Sequence, residues 1–144
     1  MDYPKAIISK QFPEIVIPLI REAKESIDII VYDWRFYKND PANPVSLFNS
    51  AIIDKSKKGV KVRCVVNSDG VKQTLNLLGC QAKVLDTKKV LHTKLIIIDK
   101  KIVVIGSHNY TQHAFCSNFE ASALFELPTQ DNDFVKYFNN LYGL

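Results

Sequence analysis

The sequence predicts an α/β fold: a mixed β-sheet flanked by helices on both faces. Three observations lead there. Up to Leu85, short runs of β-branched residues alternate with longer amphipathic stretches, the pattern of strand–helix–strand crossovers between parallel strands. Two more apolar runs, LIII and IVVI, then follow one another with only Asp99-Lys100-Lys101 between them, which is hairpin spacing and adds antiparallel strands. No internal repeat, low-complexity segment or linker interrupts the 144 residues, 47% of them hydrophobic, so residues 1–144 read as a single domain with its own core.

Taken in order, Phe12 to Lys24 carries apolar residues at helical spacing (Ile15, Ile20 and Ala23). Pro13 stands near its start, where proline is tolerated, while Pro18 lies inside the pattern and predicts a late start or a bend. Ile27 to Tyr32 (IDIIVY) reads as a strand. The loop NDPANP leads into a helix from about Val45 to Lys57, which Gly59 ends, and VKVRCVV from Val60 to Val66 is the next strand. Val71 to Leu78 is a short helix stopped by Gly79, and Gln81 to Leu85 is a strand. After the hairpin, Tyr110 to Ser117 is a polar helix or loop, Glu120 to Leu127 a last strand and Asn132 to Leu141 a terminal helix.

Composition narrows the classes. A net charge of +4 permits an anionic partner without requiring one. Of the lysine runs, Lys88 and Lys89 stand just before His92 and are best placed to meet a polyanion; Lys100 and Lys101 fall at the far turn of the hairpin. The longest apolar runs are of strand length, so no stable membrane insertion is expected. The first residues lack a secretory layout, and Cys64, Cys80 and Cys116 are odd in number and scattered, as in a reducing compartment. A cytoplasmic location is the expectation.

Buried strands have no use for the polar groups at the hairpin's open end. One strand starts at His92-x-Lys94 and the other ends at Gly106-Ser107-His108-Asn109, so the hairpin sets the two clusters side by side at one edge of the sheet. Those groups suit a phosphate. Lys94 is a fixed cation on the same face as His92, and Ser107 and Asn109 can donate to phosphoryl oxygens. A neutral imidazole can attack phosphorus to give a phosphohistidine, provided an acceptor holds its other ring nitrogen.

His92, Lys94 and Asp99 form H-x-K-x4-D, followed after six residues by Gly106-Ser107-x-Asn109 and then by Asn118-x-Glu120. This pattern resembles the phospholipase D superfamily, and in size its short, single-motif bacterial endonucleases. The resemblance implies that His92 is the nucleophile and that Glu120 holds its second nitrogen. Asp99 enters the catalytic set by the motif, although its place at the far end of the strand reads as structural. It implies further that two motifs face each other across a twofold axis. With one motif in this chain, the expectation is a homodimer in which His92 of one subunit attacks and His92 of the other protonates the leaving oxygen. Lys94 and its symmetry mate then replace metal cations, and no cofactor is needed.

Nucleic acid, DNA ahead of RNA, is the substrate this reading expects, cut by a metal-independent endonuclease of low specificity. A phospholipid phosphodiesterase or phosphatidyl transferase uses the same site, and a silent nucleic-acid-binding module is the third reading. His108, His113 and Cys116 lie close in sequence but match no zinc spacing; His108 is expected to face away from the site and His113 to lie at the surface. Tyr32, Trp34 and Phe36 alternate in YDWRFY, as a stacking face or as core or interface, with Asp33 and Arg35 opposite them facing water.

Overall fold

The computed structural model of the chain describes residues 3–144. Strand β1 (Lys5–Ile8) leads into helix α1 (Gln11–Arg21), then β2 (Ser26–Ile30), α2 (Pro44–Lys57) and β3 (Lys61–Val66). Helix α3 (Asp69–Leu77), β4 (Gln81–Val84) and the hairpin β5 (Leu95–Ile98) and β6 (Ile102–Gly106) follow; α4 (Gln112–Cys116), β7 (Ala121–Glu126) and α5 (Asp133–Tyr142) complete the fold. The seven strands make one sheet in the order β1-β7-β6-β5-β2-β3-β4. β2, β3 and β4 are parallel, while β2–β5, β5–β6, β6–β7 and β1–β7 are antiparallel. The mixed sheet is therefore as the sequence predicts.

Local chemistry explains the boundaries. Asn43 caps α2 by accepting the Val45 N–H at 2.9 Å, and Pro44 opens the helix where its missing N–H costs nothing. Gly59 and Gly79, at φ +96° and +100°, take the left-handed turns that end α2 and α3. α1 runs through Pro18 from Gln11 and stops at Arg21, short of Lys24, because the Lys24 and Glu25 amides turn to the Asp99 carboxylate. The β1 strand is an addition to the sequence reading. It is four residues long, buries only Ile7, and pairs with β7 at the opposite end of the chain.

The sheet is apolar on both faces. α1, α2 and α4 pack Phe12, Val16, Ile20, Phe48 and Phe115 against one side. α5 lays Val135 and Phe138 over Ile30, Val65, Ile97 and Val103 on the other. Register then positions the site: Ile30 pairs with Leu95, Leu95 with Ile105, and Gly106 with Ser122. The end of β2, the start of β5, the end of β6 and the start of β7 thus meet at one edge.

Candidate functional site

His92, Thr93 and Lys94 enter β5 at that edge, and Ser107, His108 and Asn109 leave β6 beside them. The hairpin turn at the opposite end is tight, with Asp99 and Lys100 both at positive φ. His92 is exposed. The Lys94 Nζ lies 3.0 Å from His92 Nδ1 and 3.3 Å from Nε2. At such near-equal distances the ammonium lies over the imidazole ring, beside both nitrogens and not along the in-plane lone pair of either one. Burial pushes the Lys94 ammonium below its usual 10.5, against the pull of the Glu120 carboxylate.

Glu120 joins the edge from the start of β7. Its Oε1 accepts the Ser107 hydroxyl at 2.5 Å and its Oε2 the Asn118 amide at 3.1 Å, while Ser107 Oγ accepts the Ala121 N–H at 3.0 Å. Within one chain, therefore, Glu120 is bonded to Ser107 and Asn118, and His92 to Lys94. Asn109 Oδ1 accepts the Asp33 N–H at 3.0 Å, which orients the side chain and fixes the β6 exit against the end of β2. Gly106 is required by a close approach: a Cβ there would overlap Ser122 on β7.

Asp99 lies at the other end of β5, about 20 Å from His92 by strand rise. Its carboxylate accepts the backbone N–H groups of Lys24, Glu25 and Ser26 at 2.7–3.1 Å. It ties the hairpin turn to the α1–β2 connection and does not reach the edge cluster.

Other side chains differ from expectation in instructive ways. Tyr32 and Trp34 part company. Trp34 is buried in the α2-side core, donating to Asn49 at 2.7 Å, whereas Tyr32 stays exposed with its ring 4.9 Å from that of His92. Asp33 and Arg35 do not face only water but pair with each other, Nε to Oδ1 at 2.8 Å. His108 is buried away from the edge, stacked 4.6 Å from Phe12, with Nε2 2.8 Å from the Ser9 carbonyl and Nδ1 2.7 Å from Ser122 Oγ. Both its ring nitrogens are thus engaged. His113 and Cys116 are exposed on α4, and among the described residues no three His, Cys, Asp or Glu side chains converge to hold a metal. Asn67, unremarked in the sequence, donates to the Tyr32 and Leu91 carbonyls at 3.0 and 2.9 Å and so fixes both flanks of the site. Only its position just after a strand hinted at it.

A mixed α/β sandwich with an H-x-K pair and a G-S-x-N turn on one sheet edge defines a phospholipase D-like protein. Residues 16–142 match the family model described as "Cardiolipin synthase, PLD-like domain", and the chain belongs to this family. It is 35% identical over 119 residues to a protein named phospholipase D from Rickettsia prowazekii, covering 78% of this chain and 54% of that one. The chain thus spans about half the length of that curated relative. Among solved structures, Nuc from Salmonella typhimurium, described as a phospholipase D family member, superposes with a TM-score of 0.78 at 21% identity, covering 97% of this chain and 95% of that one. NucT from Helicobacter pylori superposes with a TM-score of 0.70 at 22% identity, covering 97% and 92%.

Proposed function

We propose that the edge cluster is a phosphodiesterase site in which His92 attacks phosphorus and Lys94 holds the phosphoryl oxygens. The observation that carries this reading is the Lys94 ammonium 3.0 and 3.3 Å from the two ring nitrogens of an exposed imidazole. A cation this close to a nucleophilic ring sits where a phosphoryl oxygen would have to be neutralised. Asn109 adds a neutral donor, its Nδ2, because Oδ1 is engaged by the Asp33 N–H; the Ser107 hydroxyl, bonded to Glu120, becomes a second donor when Glu120 turns to His92. Once Lys94 turns to the phosphate, Glu120 is the acceptor for the second ring nitrogen. Asp99 acts by holding the hairpin.

The nucleophile displaces one ester oxygen, which leaves with a proton. That proton must come from the side opposite the attack, and the described edge offers no second histidine there. A second copy of the chain, related by a twofold axis, supplies it: its His92 protonates the leaving oxygen and then activates the water that frees the phosphohistidine. Nucleic acid is the substrate we favour, on the basic net charge and the exposed Lys88 and Lys89 ahead of His92. A phospholipid is the second reading, favoured by the fully exposed Phe119 and the exposed Val90 at the rim and by the relative named phospholipase D.

Plasmid and single-stranded DNA incubated in excess EDTA, wild type beside His92→Ala, test the scheme. His92 is exposed, so the substitution removes chemistry without removing core. Cutting that survives EDTA and disappears in the variant is the expected result. Cutting that EDTA abolishes sinks the metal-free mechanism, and cutting of phospholipid vesicles alone transfers it to lipid.

A further inference from the structure

A cavity of about 500 Å3 opens beside the phosphate site, between the chain leaving β2, the chain leaving β3 and the first turns of α3. Its volume is in the range of small-molecule sites. Tyr32 is the residue it shares with the cluster: Tyr32 lines the cavity, and its ring tilts against His92 and has the Lys94 ammonium 5.7 Å from its centroid. Asn67 fixes that side by bonding the Tyr32 and Leu91 carbonyls. A group entering here is therefore the immediate neighbour of whatever His92 and Lys94 hold.

The lining chemistry limits the occupant. Arg35 is paired with Asp33 through two contacts of 2.8 and 3.3 Å, so the lining carries no net charge to favour a second phosphate or an ammonium headgroup. What remains is aromatic and apolar surface from Tyr32, Phe36 and Val71, with neutral hydrogen-bonding groups from Asn67, Ser68 and Thr74. Flat apolar faces with neutral polar edges match a heterocyclic base, whose π-face stacks while its edge exchanges hydrogen bonds.

We propose that this cavity receives the nucleobase adjoining the phosphate bound at His92 and Lys94, with Tyr32 as the wall between them. The inference rests on the phosphodiesterase reading and deepens it, since it makes the substrate a nucleic acid read at one nucleoside beside the cleaved bond. Tyr32 then does two things, stacking on the base and bracing the nucleophile's ring.

Gly70 allows the cavity to be filled without disturbing the fold. It lines the space at the start of α3, its φ is ordinary, and an added Cβ would meet only Ser68 Oγ at 3.6 Å. Trp34, the chain's single tryptophan, lines the same cavity and reports on it by fluorescence. The experiment titrates wild type and Gly70→Phe with thymidine 5′-monophosphate, glycerol 3-phosphate and inorganic phosphate. Wild type should bind the nucleotide at least about tenfold more tightly than either other ligand, a difference that base stacking can supply. Gly70→Phe, with an unchanged melting temperature, should bring that ratio towards one. Equal affinities in wild type, a preference that survives Gly70→Phe, or glycerol 3-phosphate binding as well as the nucleotide would each overturn the proposal. No turnover is needed for the readout, so a failure of the phosphodiesterase reading appears separately, as DNA and lipid both left uncut.

Discussion

Lys94 and His92 make one unit, and the state of the lysine decides what the histidine can do. The ammonium is a donor and a cation only while protonated. Burial lowers its proton affinity from the usual 10.5, and Glu120 restores part of it. Activity through this pair should therefore fall on the alkaline side with an apparent pKa below 10.5, visible in kcat/KM measured against pH. Lys94→Met should lower kcat/KM by about 10²–10³-fold, the usual cost of a donor aimed at developing charge, and should erase that alkaline limb. A limb that persists in Lys94→Met belongs to another group and would remove Lys94 from the mechanism. Tyr32 acts at the same scale: its ring lies beside both His92 and Lys94, 4.9 Å from the imidazole and 5.7 Å from the ammonium.

The close packing of β6 on β7 at Gly106 continues into the buried contact of His108. Its Nε2–H donates to the Ser9 carbonyl, which has no hydrogen to give, so Nδ1 is the acceptor of the Ser122 hydroxyl in a neutral ring. One imidazole thereby joins the β1–α1 turn to β7 directly behind the edge cluster. Desolvation lowers its pKa below the ordinary 6.5, with the Ser9 bond and the Glu120 charge pulling the other way. Between that lowered value and 6.5 the unfolded chain binds a proton that the folded chain refuses. Stability should then be level above pH 6.5 and decline as pH falls through it, in urea melts taken from pH 8 to 5. His108→Gln should be less stable throughout and lack that part of the decline. An identical slope in the variant would assign the effect elsewhere.

What the sequence discloses at this scale is whatever depends on neighbours in the chain. The hairpin, the NDPANP loop that leads into α2 and the glycine stops of α2 and α3 are all local, and each lies within a few residues of its expected place. β1 was not legible, because its pairing partner lies more than a hundred residues away and only one of its side chains is buried. The alternation of Tyr32, Trp34 and Phe36 held only in part: Trp34 and Phe36 lie on the core side with rings 5.9 Å apart, while Tyr32 does not join them. β2 ends at Ile30, and the chain beyond it follows Tyr110 and Asn109, with Asp33 and Arg35 bonded to them through the backbone, so strand periodicity no longer applies. The cluster of His92, Lys94, Ser107 and Asn109 was readable because a hairpin brings its own two ends together. Whether Glu120 would bond His92 or Ser107 depended on side-chain geometry that spacing does not encode.

At the scale of the molecule, a buried ion pair inside the sheet also reaches α5. Asp28 in β2 is fully buried and grips Arg63 in β3 through two contacts of 2.8 and 3.1 Å; Arg63 also bonds Asn139 at 3.1 Å and lies over the Phe138 ring at 4.9 Å. Removing one partner strands the other, so Asp28→Ala should cost about 3–5 kcal/mol in equilibrium unfolding. A loss below about 1 kcal/mol would mean that Arg63 is solvated without its partner. Assembly of two such molecules carries the last prediction. If each reaction takes the nucleophile from one subunit and the acid from the other, a dimer with one His92→Ala subunit has lost one of the two groups. Wild-type and His92→Ala subunits, exchanged to equilibrium in equal amounts, would form about a quarter wild-type dimers, a half mixed and a quarter doubly substituted. Activity should then fall to about a quarter of that of the same total amount of wild-type protein, since mixed dimers contribute nothing, whereas independent sites would retain about a half. Size-exclusion chromatography of the mixture at the assay concentration establishes that dimers are present. A value near one half with dimers present, or a monomer that cuts at full rate, would mean that each chain carries its own acid, and the search for it would begin among the side chains facing Tyr32.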